Sequence, residues 1–296
     1  MNAGELKRNF ELKVSTFLED IKRDYRFDQR ITDGIYHAVS DGGKRLRPVL
    51  YLTAFCDALN LSGSDFEREQ SEAYSLALGI ELIHSYSLVH DDMAIMDNDP
   101  MRRGKPSVHA LFGEDGALLI GDALLNLSAE IMTTGIEKST RLCDFVHAMR
   151  YIYNASGIFG MIGGQSLDIL NDKAATEKKL ELIYLGKTSA LFRAAGMAGF
   201  ISGGAFNNDN QPKFATAESL FDKFGLWFQL ADDLQDLKDG KDKNAVTFAN
   251  QFGIIKCEEK INELKAKIVS LSNNLYEFCP MTIKFLSDVS GLSLFV

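Results

Sequence analysis

A chain of 296 residues with 46% hydrophobic content can bury a large core, as one domain or as two. Its formal charge of -9 argues against a nucleic-acid footprint, so an anionic partner must be held by local basic groups or metal ions. Four scattered cysteines (Cys56, Cys143, Cys257, Cys279) with no CxxC point to free thiols in a reducing compartment, not to disulfides or a zinc site.

Leu6, Phe10, Val14, Phe17, Leu18 and Ile21 recur at three- and four-residue steps and predict an amphipathic opening helix. The start MNAGELKRNFELKV lacks the apolar stretch of a secretory signal, so a cytoplasmic location is expected. Gly42-Gly43 and Pro48 punctuate the next segment. Residues 71–90 form a helix apolar nearly all round, which has to be buried. Segments near 115–134, 141–171, 176–202, 213–238 and 254–275 read as further helices, and no strand pattern competes. The apolar runs are broken by Gly, Ser or charge short of roughly 20 residues, so no membrane insertion is expected. With no Pro-, Gly- or Ser-rich linker, one domain over 1–296 is expected.

Two aspartate clusters stand out, Asp91-Asp92 with Asp97 and Asp232-Asp233 with Asp236, each after a long apolar stretch. A single Asp-Asp pair is most often a solvated helix end; two, each with a third Asp, are not so easily set aside. Asp232 and Asp236 share a face on a continuing helix. Asp91 and Asp97 converge only if their helix ends between them, and Asn98-Asp99-Pro100 is read as supplying that ending. A calcium loop starting at Asp97 fails, because Arg102 and Val108 stand where Gly and Glu are required. Hard oxygen ligands without a nearby cysteine suit Mg²⁺. Three cations in Gly43-Lys44-Arg45-Leu46-Arg47 and Arg102-Arg103-Gly104-Lys105 after the first cluster suit phosphate, although either run alone is more often a solvated surface.

Taken in order, GGKRLRP (42–48), ELIHSYSLVHDDMAIMDNDPMRRGKPSVH (81–109), GDALL (121–125), GGQSLDI (163–169), KTSALF (187–192) and FGLWFQLADDLQD (224–236) resemble the short-chain trans-prenyl diphosphate synthases, above all bacterial-type farnesyl diphosphate synthases. The resemblance implies an all-α fold, a single bundle of long helices around a deep central cavity, usually a homodimer. It implies three Mg²⁺ ions per site on Asp91, Asp92, Asp97, Asp232 and Asp236, with Asp233 ligating or orienting water. An allylic diphosphate would be bridged by that metal and touched by Arg102 and Lys187. Isopentenyl diphosphate would bind Gly43, Lys44, Arg47, His84 and Arg103. Thr188 and Gln229 would turn oxygen dipoles towards the allylic cation, with Gln165 and Asp168 supporting that wall. Without the resemblance, Thr188 or Gln165 reads equally as bonding backbone within a helix, and His84 or His90 as a satisfied core histidine.

Tyr86, five residues before Asp91 and about 7.5 Å along a helix, with Ser87 beside it, is the expected floor for the growing tail. That reading gives a C15 product, while an ordinary core role for Tyr86 leaves C20 open. The chain departs from the family pattern in three places. The loop after Asp236 is shortened to LKDGKDKNAVTF, where Lys243 is the expected diphosphate contact and Lys238 and Lys241 stay open as alternatives. No cation follows Lys284, and Pro100 replaces an acidic residue. A class I terpene cyclase would lack the second Asp cluster, a non-catalytic partner subunit tends to lose one cluster, and a histidine–aspartate phosphohydrolase built on His84 and His90-Asp91 leaves the second cluster unexplained.

Overall fold

The computed structural model describes residues 1–40, 43–63, 65–170, 175–205, 210–240 and 246–294, with 61 and 62 by backbone only. Helix α1 (Ala3–Asp24) starts where Asn2 and Glu5 cap each other's backbone amides and buries Leu6, Phe10, Val14 and Leu18, the expected stripe. The Cα positions cluster into two compact units, Met1–Leu52 with Phe66–Leu142 and Thr53–Asp65 with Cys143–Val296. Both are helical, as expected for an all-α chain.

The first unit holds α1, α2 (Gln29–Ser40), the start of α3 (Leu46–Ser62), α4 (Phe66–Asp91) and α5 (Val108–Ile136). Small residues let α4 and α5 run antiparallel in close contact. A Cβ at Gly79 would lie 2.3 Å from the Met132 side chain, one at Gly135 2.3 Å from Ser75, and one at Gly121 2.0 Å from the His90 ring. Helix α5 is kinked at Gly113, whose φ of 80° is left-handed. By length and composition α5 is apolar enough to cross a membrane, against the expectation that no run reaches that length, because its Leu, Ile and Ala content outweighs its few charges. Ala117, Ile120, Gly121, Leu124, Ser128 and Met132 are nevertheless its buried stripe.

A two-residue hairpin, β1 (Met101–Arg102) with β2 (Lys105–Pro106), follows α4 and was not legible in the sequence. Its turn residues Arg103 and Gly104 both have positive φ, 53° and 77°, the mirror-image turn that fits the twist of paired strands.

The second unit holds the remainder of α3 and α6 (Leu142–Ser156), α7 (Met161–Ile169), α8 (Glu177–Tyr184), α9 (Ala190–Ser202), α10 (Gln211–Lys238), α11 (Phe248–Phe252), α12 (Ile254–Leu275) and α13 (Pro280–Ser290). Two segments expected as single helices are broken. Residues 141–171 divide at Gly157–Gly160, where a Cβ on Gly160 would sit 1.7 Å from the Ala155 carbonyl oxygen. Residues 176–202 are interrupted by a π-helical turn, Leu185–Ser189. The core is aromatic: Phe200 packs on Phe214, Phe221 and Phe278, and Phe224 on Phe192 and Trp227. All four cysteines are free, and burial pushes the Cys56 thiol up to about 12 and Cys257 to about 11.

Candidate functional site

In the first unit, α4 ends at Asp91 itself. The turn is closed by Asp97 N donating to Asp91 O (2.9 Å), Asn98 N to Met93 O (3.0 Å) and Asp99 N to Asp92 O (3.1 Å). Asp97 is thus folded back onto Asp91, as their spacing requires. The expected cause is corrected: Asn98-Asp99-Pro100 lies beyond the helix end, in the returning chain.

Asp92 is buried and committed to Arg102, whose Nε donates to both carboxylate oxygens at 3.0 and 3.1 Å and whose Nη2 also donates to it. Burial pushes the Asp92 carboxyl up while Arg102 pulls it down. Asp92 thereby anchors Arg102, a contact separate from the ligand role expected of it. The Arg102 side chain is still 37% exposed and keeps its Nη1 edge for an anion.

The basic motif before α3 divides by function. Arg45, at φ 53°, turns inward and donates to Glu81 (2.6 Å), Glu11 (3.1 Å) and the Val39 carbonyl (2.7 Å). Lys44 is exposed, and Arg47 is half-buried with Nη1 3.3 Å from His84 Nε2. Arginine only donates, so His84 Nε2 accepts and its proton sits on Nδ1. Burial, then Arg47, Arg103, Arg102 and Arg45, hold His84 well below the ordinary histidine range and therefore neutral. Burial lowers Arg47 to about 10, leaving it charged at neutral pH. A Cβ on Gly43 would meet the Arg103 guanidinium at 2.8–3.1 Å, so Gly43 makes room for Arg103. Beneath the hairpin a cavity of about 40 Å³ is lined by His37, Ser85, Asp92, Arg102, Arg103 and Ser107. Cations crowded in this way are complementary to a polyanion.

Tyr86 is buried and sets its ring edge-on to His90, 5.9 Å between centroids, while His90 is seated against Gly121. Ser87 Oγ donates back to the His84 carbonyl at 2.9 Å, a bond within its own helix.

In the second unit, Lys187 and Thr188 lie on the π-turn, a winding that recurs at functional sites. Gly164 and Gly186 let α7 and this turn touch backbone to backbone: a Cβ on Gly164 would sit 2.3 Å from Lys187 N. That approach brings Lys187 Nζ to 2.9 Å from Asp168, so Asp168 holds the lysine. Both polar atoms of the Gln165 amide are buried without a hydrogen-bond partner among the described residues.

Thr188 Oγ1 donates to Gln229 Oε1 (2.7 Å), Gln229 Nε2 to Asp233 Oδ1 (2.8 Å), and Tyr184 OH to Asp233 Oδ2 (2.5 Å). Tyr184 in turn accepts from Phe248 N at 2.8 Å. Burial pushes the Asp233 carboxyl up to about 6 against the pull of Tyr184 and Gln229, with Asp232 and Asp236 adding repulsion. Asp232 (exposed) and Asp236 (half-buried) lie on the unbroken α10, as their four-residue spacing requires. Lys238 pairs with Glu258 at 2.8 Å. Lys241 and Lys243 lie outside the described residues, as does Gly42.

Among the described residues no three Asp, Glu, His or Cys side chains form a ready-made ion cage. The donor set still fits Mg²⁺. All the carboxylates are hard oxygen ligands, and Mg²⁺ ordinarily uses one or two carboxylates together with water and substrate phosphate rather than an all-protein cage. Asp91 and Asp97 in the first unit, and Asp232 and Asp236 in the second, are the carboxylates that would take up such an ion.

Helices throughout, with a short aspartate turn, a cationic pocket and a lysine–threonine π-turn, define an all-α protein of the isoprenoid synthase type. A model of the polyprenyl synthetase family matches residues 28–247. The chain is 33% identical over 264 residues to geranylgeranyl pyrophosphate synthase 3 of Arabidopsis thaliana, covering 83% of this chain and 69% of the relative. It is 31% identical over 241 residues to the farnesyl diphosphate synthase of Bacillus subtilis (strain 168), covering 81% and 76%. The solved geranyltransferase of Helicobacter pylori complexed with magnesium and isoprenyl diphosphate superposes with a TM-score of 0.80 at 27% identity, covering 96% of each chain. The chain belongs to the polyprenyl synthetase family. It spans just 55% of the length of two further Arabidopsis thaliana relatives.

Proposed function

We propose that the chain is a Mg²⁺-dependent prenyltransferase that joins isopentenyl diphosphate to dimethylallyl and then geranyl diphosphate, giving (2E,6E)-farnesyl diphosphate. The π-turn carries this reading. It sets Lys187 on Asp168 and Thr188 on Gln229 from consecutive positions, placing a cation for diphosphate beside oxygen dipoles for a carbocation. Bound Mg²⁺ supplies charge neutralisation of the departing pyrophosphate. Arg102 and Lys187 hold the allylic diphosphate, and Lys44, Arg47, His84 and Arg103 hold isopentenyl diphosphate. The allylic C–O bond breaks with its electron pair leaving on pyrophosphate. The isopentenyl double bond attacks the cation, and the proton lost from the adduct passes to pyrophosphate. Water must be kept from the Thr188–Gln229 wall, because it would quench the cation to an alcohol.

C20 geranylgeranyl diphosphate is the second reading, favoured by the geranylgeranyl synthases among the relatives. Purified protein incubated with Mg²⁺, isopentenyl diphosphate and either dimethylallyl or geranyl diphosphate, then dephosphorylated for mass spectrometry, separates the two. Dominant C15 supports the first reading, C20 the second, and no condensation by folded protein defeats both. A cytoplasmic homodimer is proposed with it. Leu118 and Leu119, 48% and 55% exposed on α5, suit contact with a second copy, and sedimentation equilibrium tests that.

A further inference from the structure

Tyr184 belongs to none of the motifs that carry the resemblance, yet it sits at the joint between α8 and the π-turn with both capacities of its hydroxyl in use. It donates to Asp233 Oδ2 at 2.5 Å and accepts from Phe248 N, the first amide of α11, at 2.8 Å. Asp233 is also held by Gln229, which Thr188 orients. The chain Thr188 to Gln229 to Asp233 to Tyr184 to Phe248 thus has one direction of donation up to Asp233 and the opposite direction beyond it. Reversing the Gln229 amide would set two acceptors, Gln229 Oε1 and Asp233 Oδ1, against one another. Asp233 accepts one hydrogen bond at each carboxylate oxygen and lies between Asp232 and Asp236 on α10.

We propose that Tyr184 is a positioning residue: it locks Asp233 to the start of α11, and so fixes the face of α10 that presents Asp232 and Asp236 to a metal-bound diphosphate. This rests on the proposed prenyltransferase reading and assigns to Tyr184 a role outside direct contact with substrate. Phenylalanine at 184 keeps the ring's volume but leaves the part-buried Asp233 Oδ2 and the buried Phe248 N without the partner they share.

The test is Tyr184→Phe, checked for folding by circular dichroism and titrated calorimetrically with Mg²⁺ in the presence of inorganic pyrophosphate. The expected result is an affinity about 10- to 100-fold weaker, the usual cost of removing a group that orients a ligand. In turnover, the Mg²⁺ concentration for half-maximal rate should rise while KM for isopentenyl diphosphate stays fixed. A purely structural tyrosine would move neither selectively. In a double-mutant cycle with Asp233→Asn the two effects on pyrophosphate-dependent Mg²⁺ binding should be less than additive. Hydrogen exchange on the unaltered chain gives a measurement independent of whether the variant folds: the Phe248 amide should become more protected on adding Mg²⁺ and pyrophosphate. Unchanged Mg²⁺ affinity in folded Tyr184→Phe, or no change in Phe248 protection, overturns the proposal. If the unaltered chain itself binds no Mg²⁺ with pyrophosphate, the prenyltransferase reading fails and takes this one with it.

Discussion

Arg102 Nε straddles the two oxygens of Asp92 at 3.0 and 3.1 Å, with Asp92 buried and the arginine carried on the hairpin that follows α4. The pair ties the position of Arg102, the cation proposed to hold the allylic diphosphate, to the helix that ends at Asp91. Arg102→Leu should leave a buried carboxylate unpaired and lower stability by about 3 kcal/mol, the lower end for such cases because the guanidinium is partly solvated. Adding Asp92→Leu should recover most of that loss in urea unfolding. Additive losses would mean that the two side chains are not coupled.

Gly43 is predicted to act on affinity alone. A methyl there meets the end of a flexible side chain, Arg103, at 2.8–3.1 Å, so the fold can yield by displacing the guanidinium. Gly43→Ala should raise KM for isopentenyl diphosphate roughly tenfold, equivalent to about 1.4 kcal/mol, with kcat and melting temperature nearly unchanged. Gly164→Ala is the contrasting case, since its methyl meets the backbone of the π-turn, Lys187 N at 2.3 Å and Gly186 C at 2.7 Å. It should cost about 1–3 kcal/mol of stability and lower kcat as Lys187 and Thr188 move. Equal kinetics for the two variants would remove the distinction.

These glycines show what the sequence could and could not carry. The all-helical class and the return of Asp97 to Asp91 follow from periodicity and spacing, which are local properties. The π-turn at 185–189 was not visible because 176–202 is apolar with helical periodicity throughout; the Gly164–Gly186 contact that accompanies it joins residues 22 positions apart. The inward turn of Arg45 was hidden for the same reason, since Glu11 and Glu81 lie far off in the chain. Tyr184 reads as one more core aromatic until Asp233 and Phe248 are seen at its hydroxyl. A helix glycine inside a candidate motif, Gly164 in GGQSLDI, was the available signal that two backbones meet.

A buried carboxyl and a half-buried histidine give stability opposite dependences on pH. Asp57 accepts from Met281 N (3.1 Å), Thr282 N (2.8 Å) and Thr282 Oγ1 (2.7 Å) at the start of α13, and burial still pushes its carboxyl up from 3.8 to about 6. A raised folded value means that the folded chain binds the extra proton, so this contribution is full below pH 3.8 and is lost as pH rises through about 6. His84 is shifted the other way, so its contribution is full above pH 6.5 and is lost as pH falls towards its folded value. The stability advantage of the unaltered chain over Asp57→Asn should shrink by about 2 kcal/mol between pH 4 and pH 7, whereas its advantage over His84→Gln should grow over the same range. Denaturant unfolding at several pH values reads both, and parallel curves for either variant would contradict that residue's assignment.

Tyr86 is the residue proposed to set product length. It is buried on the unbroken α4, five residues before Asp91, or about 7.5 Å along the axis at 1.5 Å per residue. Its ring is held edge-on to His90, which Gly121 admits between α4 and α5, so the ring cannot swing aside without disturbing that contact. Tyr86→Ala removes the ring and should lengthen the product by at least one C5 unit, C15 giving way to C20 or beyond, at a stability cost of about 3–5 kcal/mol for a buried aromatic. Tyr86→Phe keeps the ring and should leave the length unchanged. Mass spectrometry of the dephosphorylated products decides it, since a Tyr86→Ala enzyme still stopping at the parent length would place the floor at another side chain.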